Sequence, residues 1–318
     1  MVVDVVYTDA AGVEQGMVDC DLDLAYGDDE NDFEAVIPYG AQVAYGSLMY
    51  VDGTEWGGVV RGFREDTTGP APVLTALGQT WHGILAETYV CPDGDHLAVS
   101  GDANAAIAAV IAHVGLSAVF DVEAGPSGIA VSHQFARFCD AYSGIREMLA
   151  KANAKLRITK DPGARPRLAA VEAGEHADGE MGIRIGYKMQ RTRPVNHLIC
   201  LGKGELSERT VLHLYADEDG NVSQGQTQYG LAERQAIYEN TNAEDDELMA
   251  DGMRELAEMQ ATSTVTLRPP AGMELEVGDA IGASSERIGL SAMARITKTV
   301  VRISGGAVEI EHDADERR

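Results

Sequence analysis

Val18-Asp19-Cys20-Asp21-Leu22-Asp23-Leu24 alternates apolar and acidic residues over seven positions. In an extended strand, successive side chains point to opposite faces. One face of this strand is therefore a core stripe of Val18, Cys20, Leu22 and Leu24. The opposite face carries Asp19, Asp21 and Asp23.

The same period of two continues on both sides. Phe33, Ala35 and Ile37 alternate up to Pro38, after the polar connector Asp28-Asp29-Glu30-Asn31-Asp32. Ala41 to Tyr50 and Trp56 to Phe63 read as strands joined by an Asp52-Gly53 turn, with one or two more in Val73 to Val90. Residues 1–92 thus predict a small antiparallel barrel or sandwich. From residue 93 the period lengthens. Asp102 can cap a helix carrying Ala106, Ile107, Val110, Ile111 and Val114. A second helix carries Ile145, Met148, Leu149 and Ala152. Lys155–Thr159 and Arg167–Val171 form a hairpin across Asp161-Pro162-Gly163. Strands return at Gly182–Tyr187, Val195–Gly202 and Thr210–Tyr215. Helical segments are expected at Gly230–Tyr238 and Ala243–Gln260, the latter with Glu244 to Glu247 where the helix dipole favours anions.

The fold class predicted is therefore α+β and β-rich, with two small antiparallel β-barrels and an inserted α+β domain. The boundaries are 1–92 for the first barrel and 183–227 with 263–313 for the second. The insertion takes 93–182 with 228–262, and 314–318 form a frayed tail.

The 318 residues hold 25 Lys and Arg against 51 Asp and Glu, a formal charge of −26. That balance speaks against wrapping nucleic acid, which needs clustered cations. The charge is uneven: residues 1–60 contain thirteen acids and no Lys or Arg. No apolar run approaches the ~20 residues of a membrane span. Met1-Val2-Val3-Asp4 has neither a basic nor an apolar leader region, so no secretory signal is expected.

The four cysteines, at 20, 91, 139 and 200, lack the spacing of a zinc site and read as reduced filler. Each of Cys91, Cys139 and Cys200 has a histidine near in sequence (His96, His133 and His197), which does not make a nucleophile–base pair. Asp217-Glu218-Asp219-Gly220-Asn221 resembles part of a calcium loop, but its Gly is fourth rather than sixth and position twelve is Gln228, so a hairpin turn is expected. Gly202-Lys203-Gly204 lacks the rest of a phosphate loop. His197 and His213 can neighbour each other across two strands. No catalytic constellation, metal site or cofactor site is predicted.

One long segment is more specific. Arg191-Thr192-Arg193-Pro194-Val195-Asn196-His197-Leu198-Ile199-Cys200-Leu201-Gly202-Lys203-Gly204-Glu205-Leu206 runs into Arg209-Thr210-Val211-Leu212-His213-Leu214-Tyr215-Ala216-Asp217. It continues through Gly230-Leu231-Ala232-Glu233-Arg234 and Ile237-Tyr238-Glu239-Asn240 to the helix at 243–260. This run resembles tail hub proteins of long-tailed phages and prophages (Gp37-like minor tail proteins, related to baseplate hubs and the N-terminal regions of tail-associated lysins). Ala141-Tyr142-Ser143-Gly144-Ile145 with Lys155-Leu156-Arg157, and Leu275-Glu276-Val277-Gly278-Asp279, fit the same family.

The resemblance implies two related barrels joined to α+β domains, and a homotrimer whose six barrels form a ring continuing the tail tube. The implied place is the virion tail tip, after synthesis in the host bacterial cytoplasm. Implied partners are the chain itself, the tail tube or distal tail protein, the tape-measure protein, and receptor-binding or fibre proteins. Some relatives carry C-terminal peptidase or glycan-binding extensions. None is seen before residue 318, so no enzymatic activity is expected. The alternatives are a tail-associated cell-wall hydrolase (peptidase or glycosidase) and an acidic soluble binding module. In a ring, Asp19, Asp21 and Asp23 are candidate lumen-facing acids that keep passing DNA from adhering, and no tight nucleic-acid binding is expected.

Overall fold

The computed structural model describes residues 3–38, 40–179, 184–260, 263–269, 273 and 275–316. The chain divides into two units. One comprises 1–187, 267–284 and 291–318, and the other 188–266 and 285–290.

The first unit begins with β1 (Val5–Thr8), β2 (Glu14–Val18), β3 (Leu22–Gly27), β4 (Asp32–Ile37), β5 (Leu48–Tyr50), β6 (Gly57–Asp66) and β7 (Val73–Thr80). The strand expected at Ala41–Tyr50 is shorter than its apolar content suggests, and 41–47 is irregular. After β7 the chain turns into α1 (Trp81–Ala86) instead of continuing as strand. Thr80 caps it by accepting from Gly83 N, and Trp81, Ile84 and Leu85 are buried.

The middle segment runs β8 (His96–Asp102), α2 (Ala103–His113), β9 (Asp121–Val122), β10 (Ala130–Ala136), α3 (Ala141–Ala150), β11 (Ala154–Thr159), β12 (Arg167–Glu172) and β13 (Glu175–Ala177). The two helices and the hairpin stand where the sequence places them, and β8 and β13 are strands it does not mark. Asp102 caps α2 and Asp140 caps α3, each accepting a first-turn amide. Their apolar stripes meet in one core with Phe135, Ile145, Leu149, Ile158 and Trp81.

The second unit contains most of β14 (Gly186–Arg191), then β15 (His197–Leu201), β16 (Val211–Ala216), β17 (Val222–Ser223), β18 (Gln235–Glu239), α4 (Asp245–Glu258) and much of β19 (Ser263–Arg268). β17, β16, β15 and β18 form a four-stranded sheet in that order, and β14 pairs with β19. Leu248 and Leu256 of α4 pack with Leu198, Cys200 and Leu214 of β15 and β16. Gly252 permits the close approach, since a Cβ there would lie 2.5 Å from Cys200 Sγ. The helix expected at Gly230–Tyr238 is instead a single 3₁₀ turn, Gly230–Ala232, followed by β18, parallel to β15.

The last strands, β20 (Ala280–Ser285), β21 (Leu290–Ser304) and β22 (Ala307–Glu316), return mainly to the first unit. β21 pairs with β3 from Lys298↔Gly27 to Ile303↔Leu22. This builds an eleven-stranded sheet ordered β13-β20-β21-β3-β4-β7-β6-β5-β1-β2, with β22 on β21. Val301 and Ile303 thereby join Val18, Cys20, Leu22, Leu24 and Phe33 in one core.

Of the expected pairing of 263–313 with 183–227, β14 with β19 is present, while β20 and β21 lie on the large sheet beside β13 and β3. The period of two fixes which side chains are buried, but it does not say which strand lies alongside. No sheet closes on itself as a barrel among the described residues. The expected frayed tail is strand through Glu316, paired with β21. The residues 180–183 of the expected boundary at 183, and residues 317 and 318, lie outside the described residues.

Candidate functional site

The seven-residue alternation holds as read: Val18, Cys20, Leu22 and Leu24 are buried, and Asp19, Asp21 and Asp23 are exposed. The three acids do not form one cluster. Asp23 lines a groove of about 630 Å³ with Glu30, Asp32, Glu34, Glu311 and Asp313. Asp19 and Asp21 precede β3 and are not part of that groove.

Strand order explains the groove. Asp23 on β3 sits opposite Glu34 on β4 and opposite Arg302 on β21. Like charges directly opposite destabilise a sheet, and the cation offsets them. Arg302 Nε lies 3.5 Å from Asp23 Oδ2, and its Nη1 lies 2.9 Å from Glu311 Oε2. Arg64 Nη1 donates to Glu34 Oε1 at 2.9 Å, and Lys298 pairs with Glu30. Lys298 offsets Asp32 only in part. Partial burial first, then the Glu30 and Glu34 charges, push its carboxyl above the ordinary range.

The face is therefore acidic but laced with cations. Arg302 and Lys298 come from 275 and more residues downstream of Asp23, so a composition count over residues 1–60 misses them. The only signal for them was their place on a strand whose partner was unknown.

Three of the four thiols are set up for packing; Cys91, expected as filler, is exposed instead because it lies on the chain between α1 and β8. Burial, with the neighbouring Asp19 and Asp21 charges, pushes the Cys20 thiol up to about 12. Burial also raises Cys139 and Cys200. A thiol held above neutral pH is a poor nucleophile.

His197 and His213 do meet. His197 Nε2 lies 2.8 Å from His213 Nδ1, His197 Nδ1 lies 2.5 Å from Glu233 Oε1, and its ring stacks on Tyr215. This chain orients the imidazoles without gathering a coordination sphere. Among the described residues no group of three or more His, Cys, Asp or Glu could hold a metal ion. Asp217 to Asn221 is a turn, in which Asp217 Oδ1 accepts from the amides of Asp219 and Asn221.

The most enclosed ionic site lies elsewhere. Lys155 on β11 places Nζ 2.6 Å from Asp279 Oδ1 and 2.6 Å from Glu276 Oε2, with the Lys155 and Asp279 side chains only 6% and 4% exposed. Asp279 also accepts from Gly174 N at 2.6 Å and Glu276 N at 2.8 Å. Arg157, two residues along the same strand, pairs with Glu276 at 3.0 Å. Gly278 has φ +105°, and a Cβ there would stand 2.8 Å from Lys155 Cβ, so the turn needs glycine. Each buried charge has an opposite charge and a hydrogen bond, which is the condition for tolerating burial.

No protein-family profile matches the sequence, and no curated protein does. Solved structures of phage and prophage tail proteins are similar to the chain along nearly all of its length. For the prophage tail protein gp18 from Listeria monocytogenes, identity is 13%, coverage is 99% of this chain and 95% of that one, and the TM-score is 0.49. For the tail protein from Neisseria meningitidis, the values are 13%, 100%, 97% and 0.45. For the 43 kDa tail protein of prophage MuSo2 from Shewanella oneidensis, they are 10%, 98%, 98% and 0.45.

Proposed function

We propose that the chain is a structural protein of a phage or prophage tail tip, a hub whose copies assemble as a homotrimeric ring continuing the tail tube. Its neighbours would be the tube or distal tail protein, the tape-measure protein, and receptor-binding or fibre proteins beyond it. The observation carrying this reading is the Lys155–Asp279 junction. The segments Lys155-Leu156-Arg157 and Leu275-Glu276-Val277-Gly278-Asp279 each resemble tail hubs. They lie 124 residues apart and meet through paired charges.

In this reading Asp19, Asp21 and Asp23 face the channel or its rim. DNA passing there meets carboxylates, and the cations nearest Asp23 are already engaged by acids, so little attraction to phosphate is left. Screening limits the reach of those charges to about 8 Å at physiological salt, so the effect belongs to a narrow lumen.

Light scattering combined with electron microscopy tests the proposal. The expected result is a particle of three 33.9 kDa chains with a central opening, and a map in which the three aspartates point toward the axis. A monomer at every concentration, with no ring formed alongside tail-tube protein, overturns the hub reading. Aspartates pointing away from the axis overturn the channel role alone. Clearing of host cell wall by the pure chain would favour the hydrolase instead.

A further inference from the structure

A second cavity in the first unit, about 640 Å³, lies apart from the acidic groove. That volume is within the range of small-ligand pockets, ~300–1,000 Å³. Its apolar wall includes Leu48, Val59, Ile84, Leu116 and Val119. In a chain with twice as many acids as bases, the balance here reverses: Arg61, Lys160 and Arg165 line it against Glu14 and Glu87.

Three groups on the lining have hydrogen-bonding capacity to spare. Trp81 is 1% exposed, and its Nε1 has no hydrogen-bond partner. A buried donor left unpaired costs folding free energy that a ligand can recover. Lys160 is 3% exposed, with its ammonium 3.8 Å from the centre of the Tyr50 ring and one bond, at 2.9 Å, to Asp161 O. An ammonium has three donors; one is bonded to Asp161 O and the Tyr50 ring face takes another, so one remains. Arg61 donates Nε to Gln79 at 3.1 Å, which leaves its terminal nitrogens available. Of the two acids, Glu14 already spends Oε1 on Tyr50 OH and Gly163 N.

From this juxtaposition of spare donors and apolar wall, we infer that the cavity binds an organic carboxylate with an apolar body. The carboxylate accepts from Arg61 and Lys160, and the apolar part lies along Leu48, Ile84 and Val119. A free acid and the C-terminal residue of a peptide share this chemistry. The inference does not depend on the tail reading.

The test follows the indole N–H signals of the full ¹⁵N-labelled chain, which has two tryptophans, Trp56 and Trp81. Trp56→Phe assigns the peaks. The probes are N-acetyl-phenylalanine and its amide, and a pentapeptide ending in Phe with a free or an amidated C-terminus. The expected result is a Trp81 shift with the free carboxylates and about tenfold weaker binding of the amides, the size of one charge-assisted bond. Whichever arm binds more tightly identifies the source. Arg61→Gln, at an exposed position, should weaken carboxylate binding about tenfold while leaving the spectrum folded. The inference fails if Trp81 does not respond to either acid, if acid and amide bind equally, or if Arg61→Gln binds as the parent does.

Discussion

The ammonium of Lys155 lies 2.6 Å from Asp279 Oδ1 across 124 residues of sequence, and both side chains are almost fully buried. Removing one partner of such a pair strands the other's charge, typically at ~3–5 kcal/mol. Asp279→Ala is expected at the upper end, because it also frees the amides of Gly174 and Glu276. Lys155→Met should cost less, since those amides still hold the carboxylate. Urea unfolding read by tryptophan fluorescence checks the order, because Trp56 and Trp81 both belong to this unit.

Gly252 inverts a familiar rule. Glycine to alanine inside a helix normally stabilises by about 1 kcal/mol. Here the added methyl would meet Cys200 Sγ at 2.5 Å and Leu214 Cδ1 at 2.8 Å. Gly252→Ala should therefore destabilise the second unit by ~1–3 kcal/mol, the usual cost of overpacking. Adding Cys200→Ala should recover part of the loss. Hydrogen exchange of β15 and β16 amides reads it out.

Two histidines make the fold acid-sensitive. Burial, then the Lys151 charge, lowers His133, and burial lowers His312. A base with a depressed folded pKa binds its proton more readily when unfolded, so stability is full above the ordinary value of 6.5 and is lost as pH falls below it. Melting temperature should drop between pH 7.5 and 5.5, and His312→Gln should flatten that slope.

Asp32 has the opposite sign. Its raised carboxyl takes up a proton more readily in the folded state, so it opposes folding at pH values above its own titration. Asp32→Asn should stabilise at pH 7 by roughly a few tenths of a kcal/mol, given its exposure. The advantage should vanish once the pH is low enough to protonate the parent carboxyl. Paired melts at pH 7 and pH 3 measure both.

The legible parts of the sequence were those whose cause is local. Asp102 and Asp140 cap their helices, and Asp161-Pro162-Gly163 turns β11 into β12, as side chain and turn chemistry within a few residues dictate. α1 and β18 are illegible in the sequence because they are only six and five residues long, and so short an apolar run fits either period. The acidic face of Asp19, Asp21 and Asp23 was legible, but its counter-charges Lys298 and Arg302 were not, because they arrive through a pairing that no local pattern encodes. Nor could it reveal the Lys155–Asp279 contact or the empty donors around Trp81, which exist only once distant strands are assembled.

The ladder between β21 and β3 joins residues 298–303 to 22–27. A ribosome therefore releases β3 long before its neighbour is made. At ~5–20 residues per second the gap is tens of seconds. Throughout that interval Leu22, Leu24 and Phe33 lack the cover of Val301 and Ile303, and one edge of β3 is open to any passing strand. The acids at 19, 21 and 23 then act as gatekeepers that keep a growing chain from sticking to its siblings, a service that ends once β21 is in place.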